Sequence, residues 1–303
     1  MKKEGIEVFK TLKRESMWGY LFSLPWILYF LAFLSYPMFL AVKMSFQDVN
    51  VIEPEKAQFV GIGNWIKGIQ DPLFWKSIFN IIYNQAIFIF LTFVISLGLA
   101  LLLKEVTKGA GIFRTIYFLP VITSIAAAMI IFEFLASPTG PVQQVFMQLN
   151  FINEPVYWTF EKWLPMPILA IFNSWKWFAV QMIILLGGIL SIDNQLYEAA
   201  KIDGAKWWTQ FWKITLPMLK PQILFVMTMN VINGMQMFTE VFMIFDLQGG
   251  PYNSGLTPVL YLYKKGFDEM SMGYASTIGL LLAIVILILT TLQWLLINRN
   301  EDE

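Results

Sequence analysis

The chain has 303 residues, of which 57% are hydrophobic and 14% charged, with equal numbers of acidic and basic side chains. Its mean hydropathy of +0.60 lies outside the range of ordinary soluble domains and marks a polytopic membrane protein. With no Cys and no His, disulfide frameworks, zinc sites, imidazole relays and His-based triads are excluded, and zero net charge argues against a nucleic-acid partner.

A hydrocarbon core about 30 Å thick takes about 20 apolar residues per helix. That ruler finds six spans, near Trp18 to Val42, Ser77 to Leu103, Thr115 to Leu135, Leu164 to Leu190, Pro221 to Phe245 and Ala275 to Ile297. The fold class is therefore all-α, with a segment 1–17 ahead of the bundle, a six-helix domain over 18–297 and a tail 298–303. The first span is too long for a signal-peptide core and lacks a small-residue cleavage site, so it reads as an uncleaved helix. Placing both termini in the cytoplasm puts 13 basic residues on inner segments and 7 on outer ones, the bias that sets topology. The outer stretch from about Lys43 to Lys76 reads as an amphipathic helix on the membrane surface.

Glu133, Lys176 and Glu240 fall in the third, fourth and fifth spans, toward their outer ends, where snorkelling to interface water is the expected arrangement. The tryptophans Trp158, Trp163, Trp175, Trp177, Trp207, Trp208 and Trp212 lie near span ends or on the loop that follows the fourth span, as interfacial aromatics do.

That loop, 191–220, is the most specific part of the sequence. Asp193 or Asn194 can cap a short helix carrying Glu198, Ala199, Ala200 and Asp203, and Gly204 is suited to a left-handed C-terminal cap. A second helix from about Lys206 is expected to end before Pro217. Two alanines on an exposed face beside an acidic residue form a plug shaped to enter another protein's groove. The spacing Glu-Ala-Ala, three residues, Gly204, nine residues, Ile214, one residue, Leu216-Pro217 resembles the EAA loop of ABC-transporter permeases. Tyr36-Pro37, Phe59-Val60-Gly61 with Asn64-Trp65, Asp71-Pro72 with Phe74-Trp75, Phe113-Arg114-Thr115, Phe118-Leu119-Pro120 and Gly249-Gly250-Pro251 extend the resemblance over nearly the whole chain. These blocks are similar to the first permease subunit of maltose-type sugar importers. The chain lacks the extra N-terminal helices and large outer insert of the enterobacterial maltose permease, and so is closer to compact six-helix members.

The resemblance implies a permease subunit in a bacterial plasma membrane, with a second related permease, two ABC ATPase subunits, an extracytoplasmic sugar-binding protein and a sugar substrate as partners. No G-x-x-x-x-G-K-[ST] run occurs, so ATP and Mg are expected on the partner ATPases and no cofactor on this chain. Coupling is expected through Glu198, Ala199, Ala200, Asp203, Gly204, Ile214, Leu216 and Pro217.

Amides at membrane depth either face a cavity or join helices. Asn173 and Trp177 share one face at i, i+4, and Asn233 and Gln236 are expected to share another at i, i+3, with Asn230 nearby. Positions matching Asn173, Trp177, Asn233 and Gln236 line the sugar site in the maltose-type family, while Asn80, Asn84 and Gln85 in the second span are weaker candidates. An ion-coupled carrier would need the same polar residues but leaves the loop unexplained. An integral-membrane enzyme would need a nucleophile and base, metal ligands or paired carboxylates, none of which the spans supply.

Overall fold

A computed structural model describes residues 18–106 and 109–298, and these fall into two compact units. The expected segment 1–17 and the tail from Arg299 lie outside the described residues, as does Lys108.

The first unit comprises residues 18–68 and Lys265–Thr277. Helix α1, Trp18–Ser45, is apolar up to Lys43 in its last turn apart from Ser23 and Ser35, and carries a π-helical segment at Phe30–Ser35 just before Pro37. Two short antiparallel strands follow, β1 (Gln47–Asp48) and β2 (Gln58–Phe59). The stretch that follows is thus a small hairpin leading into one short helix, α2 (Gly63–Gln70), in place of the single surface helix expected from sequence. Gly61, with φ +56, sits in the turn. The Asn64 amide then donates to the carbonyls of Ser45 and Gln47 at 3.2 and 3.0 Å, and the Trp65 indole donates to the Ser45 hydroxyl. The Asn-Trp pair is therefore a clasp on the end of α1.

The second unit comprises Ile69–Lys264 and residues 278–298. In chain order it holds α3 (Pro72–Glu105), α4 (Ala110–Ile122), α5 (Ile125–Ala136), α6 (Pro141–Gln148), α7 (Pro165–Leu190), α8 (Asn194–Ile202), α9 (Trp207–Met218), α10 (Lys220–Gly234), α11 (Thr239–Phe245), α12 (Pro258–Tyr263) and most of α13 (Met272–Asn298). Asp71 starts α3 by accepting from the Leu73 amide at 2.8 Å, with Pro72 in the first turn, where its missing N–H costs nothing.

The core is the pairing of α3 with α7. Small polar residues along α3 let the backbones approach: Thr92 donates to the Ser174 hydroxyl at 3.0 Å and Ser96 to the Phe178 carbonyl at 2.8 Å. Leu97, Ala100 and Leu103 then pack against Met182, Leu185, Leu186 and Ile189, and Leu219 joins the same cluster. Dispersion holds this seam, because lipid tails are as apolar as leucine and burial alone supplies little drive.

Five described helices are long and apolar enough to cross a membrane, and one bent pair brings the number to as many as six. The third and fifth expected spans are each interrupted. Between α4 and α5, Thr123 and Ser124 are extended, close after Pro120. Between α10 and α11, residues 235–238 leave the helix altogether. Such breaks at membrane depth require new partners for the freed carbonyls, and both breaks have them. Lys176 donates to the Pro120 and Thr123 carbonyls at 2.9 and 2.7 Å, and Thr257 donates to the Met237 carbonyl at 2.9 Å.

A cavity at the broken fifth span

The loop 191–220 has the local geometry its residues dictate. Asp193 accepts from the Gln195 amide at 2.9 Å and starts α8. At the other end, Gly204 is left-handed at φ +74, its N–H bonds the Lys201 carbonyl, and the Ala205 N–H reaches back to Ala200 at 2.8 Å. These two bonds make a Schellman cap, which needs a left-handed residue where Gly204 stands. Glu198, Ala199, Asp203 and Gly204 are exposed, while Ala200 is half-buried. The acidic residue and one alanine therefore face outward, and the other alanine turns partly inward.

The second helix runs on through Pro217, contrary to expectation. Residues Phe211–Thr215 are π-helical, and this wider turn absorbs the missing proline N–H without ending the helix. The break comes instead at Leu219, where the chain bends by 64° into α10. Ile214 and Leu216 are half-buried and Pro217 is exposed. Tyr197 of α8 and Thr215 of α9 share a hydroxyl hydrogen bond of 2.9 Å, and the Lys104 ammonium sits 4.2 Å above the Tyr197 ring. The loop is thus fastened to itself and to the end of α3. Trp207, Trp208 and Trp212 are exposed on α9, where Trp207 stacks on Phe211, Trp208 stacks on Trp212, and Trp207 meets Trp208 edge to face.

The amides named from sequence converge. Asn173, Trp177, Asn230, Asn233 and Gln236 all line a single cavity of about 630 Å³ between α3, α7 and the two halves of the broken fifth span. The cavity has the size of small-molecule sites in general. Asn233 and Gln236 reach it differently than expected. The helix ends at Gly234, so Gln236 lies in the turn beyond, its N–H bonded to the Asn233 carbonyl and its side-chain amide donating to Ile232.

Two further amides line the cavity. Gln181 extends the Asn173 and Trp177 face by one more i, i+4 step, and its side-chain amide donates to Asn230 at 2.7 Å. The sequence pattern could have given Gln181 had the α7 face been followed one turn further. Gln85 is fixed by a relay in which Asn84 donates to the Met166 carbonyl and Gln85 donates to Asn84. That relay leaves the Gln85 Oε1 as an acceptor without a partner. A Cβ at Gly234 would lie 2.1 Å from the Gln85 Oε1, so any side chain there would displace the Gln85 amide from this relay. Asn80 has a structural part, donating to the carbonyls of Asn253 and Leu256 and so bracing the Gly249-Gly250-Pro251 turn.

Four buried amide atoms of the lining have no protein partner: Gln85 Oε1, Asn173 Oδ1, Gln181 Oε1 and Asn230 Nδ2. Buried polar groups left unpaired are costly, and these four lie behind the wall of one cavity. Of the three ionisable residues in the spans, only Glu133 is exposed as snorkelling requires. Lys176 is 2% exposed because it caps the α4 break, and Glu240 is 7% exposed in the cavity wall. Their partners, the Pro120 and Thr123 carbonyls for Lys176 and the Asn173 amide for Glu240, replace the interface water expected for them.

Comparison with known proteins agrees with this architecture. Residues 16–301 match the family described as binding-protein-dependent transport system inner membrane component. The chain is 34% identical to the arabinooligosaccharides transport system permease protein AraP of Halalkalibacterium halodurans, over 96% of this chain and 91% of that one. It is 33% identical to the lactose transport system permease protein LacF of Rhizobium radiobacter, over 91% and 92%. Among solved structures, a chain of a bacterial ABC transporter involved in the import of the acidic polysaccharide alginate superposes with a TM-score of 0.79 at 26% identity, over 97% of this chain and 99% of that one. With its interrupted spans, its polar cavity and its capped loop, the chain is a multi-pass ABC-importer permease subunit and belongs to the family of binding-protein-dependent transport system inner membrane components.

Proposed function

We propose that this chain is one of two related permease subunits in an ATP-driven importer of a sugar or oligosaccharide, resident in a bacterial plasma membrane with both termini in the cytoplasm. The observation that carries the reading is the 630 Å³ cavity lined by six amide side chains. Sugar hydroxyls donate and accept at short range, which suits amides, and the Trp177 ring can cover the apolar face of a pyranose. The names of the relatives, with arabinooligosaccharides and lactose as cargo, support the sugar class.

Energy enters through the loop. Two partner ATPase subunits bind ATP and Mg, and their closure moves the outward-facing Glu198 and Ala199 of α8. The Tyr197 to Thr215 bond passes that motion to α9, and the bend at Leu219 passes it to α10, whose far end forms the cavity wall. This is a rigid-body form of alternating access. A sugar-binding protein delivers cargo on the outer face.

The test is ATP-dependent uptake of arabinooligosaccharides and lactose into liposomes holding the complete assembly, against liposomes holding this chain alone. Uptake by the assembly and none by the chain is expected. Uptake by the chain alone, or by an assembly lacking the ATPases, refutes the reading.

A further inference from the structure

The charge of the cavity wall narrows the cargo. Among the residues lining the cavity, six are amides, one is a carboxylate, Glu240, and none is basic. The nearest cation, Lys176, lies outside the lining, with its ammonium committed to the Pro120 and Thr123 carbonyls and its field acting on Glu240. Moving a carboxylated, sulfated or phosphorylated sugar into such a wall would strip its hydration and offer no opposite charge, while Glu240 would repel it. An uncharged sugar meets no such obstacle. Its hydroxyls can bond the amides of the lining, of which Asn233 and Gln236 are exposed.

We infer that the cavity selects uncharged glycans and rejects anionic ones, with Glu240 as the residue that sets this discrimination. The inference rests on the sugar-import reading and goes beyond it, since a similar fold serves the acidic polysaccharide alginate in the solved importer.

The experiment measures retention of labelled probes by the purified complete permease and ATPase assembly in nanodiscs, without binding protein, so that only the membrane cavity chooses. The probes are arabinotriose, lactose, trigalacturonate and the fully methyl-esterified trigalacturonate, the last two differing in charge at constant ring number. Wild-type assembly should retain at least one uncharged probe, and retain trigalacturonate at least tenfold more weakly than its methyl ester or the best neutral probe. Glu240→Gln should narrow that ratio at least threefold. Equal retention of trigalacturonate and the best neutral probe by the wild type overturns the inference without any variant and leaves the sugar reading standing. An unchanged ratio in a Glu240→Gln assembly of normal melting temperature overturns the role given to Glu240. If a well-folded wild-type assembly retains none of the four, the sugar reading of the cavity fails and the inference fails with it.

Discussion

The hydroxyls of Tyr197 and Thr215 meet at 2.9 Å across the turn that separates α8 from α9. Eighteen residues apart in sequence, they close the loop into one body, so that a displacement of Glu198 is felt beyond Gly204.

Removing this bond tests whether the loop transmits as a unit. Tyr197→Phe keeps the ring under Lys104 and deletes only the hydroxyl, so stability should fall by about 1 kcal/mol, the net worth of one hydrogen bond. The expected signature is a drop in uptake per ATP hydrolysed that exceeds the loss of folded assembly. Thr215→Val should behave alike, and the double variant should be little worse than either single one. Additive losses would show that the hydroxyls act separately.

Gly204 offers a cleaner separation of strain from crowding. No atom lies within 4 Å of a Cβ built there, so any substitution suffers only from φ +74. Gly204→Asn should therefore retain most uptake, because asparagine tolerates the left-handed region. Gly204→Val should lose about 1–2 kcal/mol and most coupling. Equal impairment by both would point to a partner surface pressed against the glycine. Glu198→Lys, which reverses an exposed charge without straining the backbone, should abolish uptake while the assembly keeps its melting temperature.

Lys176→Met removes the donor from two carbonyls at the α4 break and leaves Glu240 without its nearest cation. A loss of about 1–3 kcal/mol is expected, the usual cost of leaving buried acceptors without their donor. Adding Glu240→Gln should restore part of it, measured as melting temperature of the assembly. If the second change restores nothing, the cost lies in the broken helix end alone.

Asn173→Leu distinguishes a cargo contact from a helix contact. The buried Asn173 amide donates to the Met237 sulfur at 3.4 Å, a weak bond, and to the Glu240 carboxylate. Loss of the second bond should lower stability by about 1–3 kcal/mol, and cargo affinity should fall by about 1–3 kcal/mol as well. A lower melting temperature with unchanged affinity would falsify the pathway role. Asn233→Leu, at an exposed site on the same cavity, should show the affinity loss with less effect on melting.

What could be read from sequence was local in chain distance. The Asp193 start and the Gly204 cap of α8 depend on neighbours within a few residues, and both stand where their chemistry demands. The convergence of Asn173, Trp177 and Asn230 followed from apolar helices carrying amides that must face something. The two helix breaks were hidden because what stabilises them is remote. Pro120 and Thr123 find their donor on Lys176, more than fifty residues away, and Met237 finds Thr257, twenty residues on. A hydropathy ruler averages over a window and so reads one span in both places. Pro217 misled in the opposite sense, since a π-helical turn let the helix pass a residue that ordinarily stops one.

The 64° bend at Leu219 also makes α10 a lever arm. Its 15 residues span roughly 22 Å at the rise of an α-helix, and the far end is free of the helical ladder because the span is broken at residues 235–238. A tilt of about 10° at Leu219 would carry Asn233 through roughly 4 Å, more than the length of a hydrogen bond. On the proposed function, a slight rocking of the loop 191–220 is therefore enough to withdraw an amide from a bound hydroxyl, and cargo can be let go without any helix having to unwind.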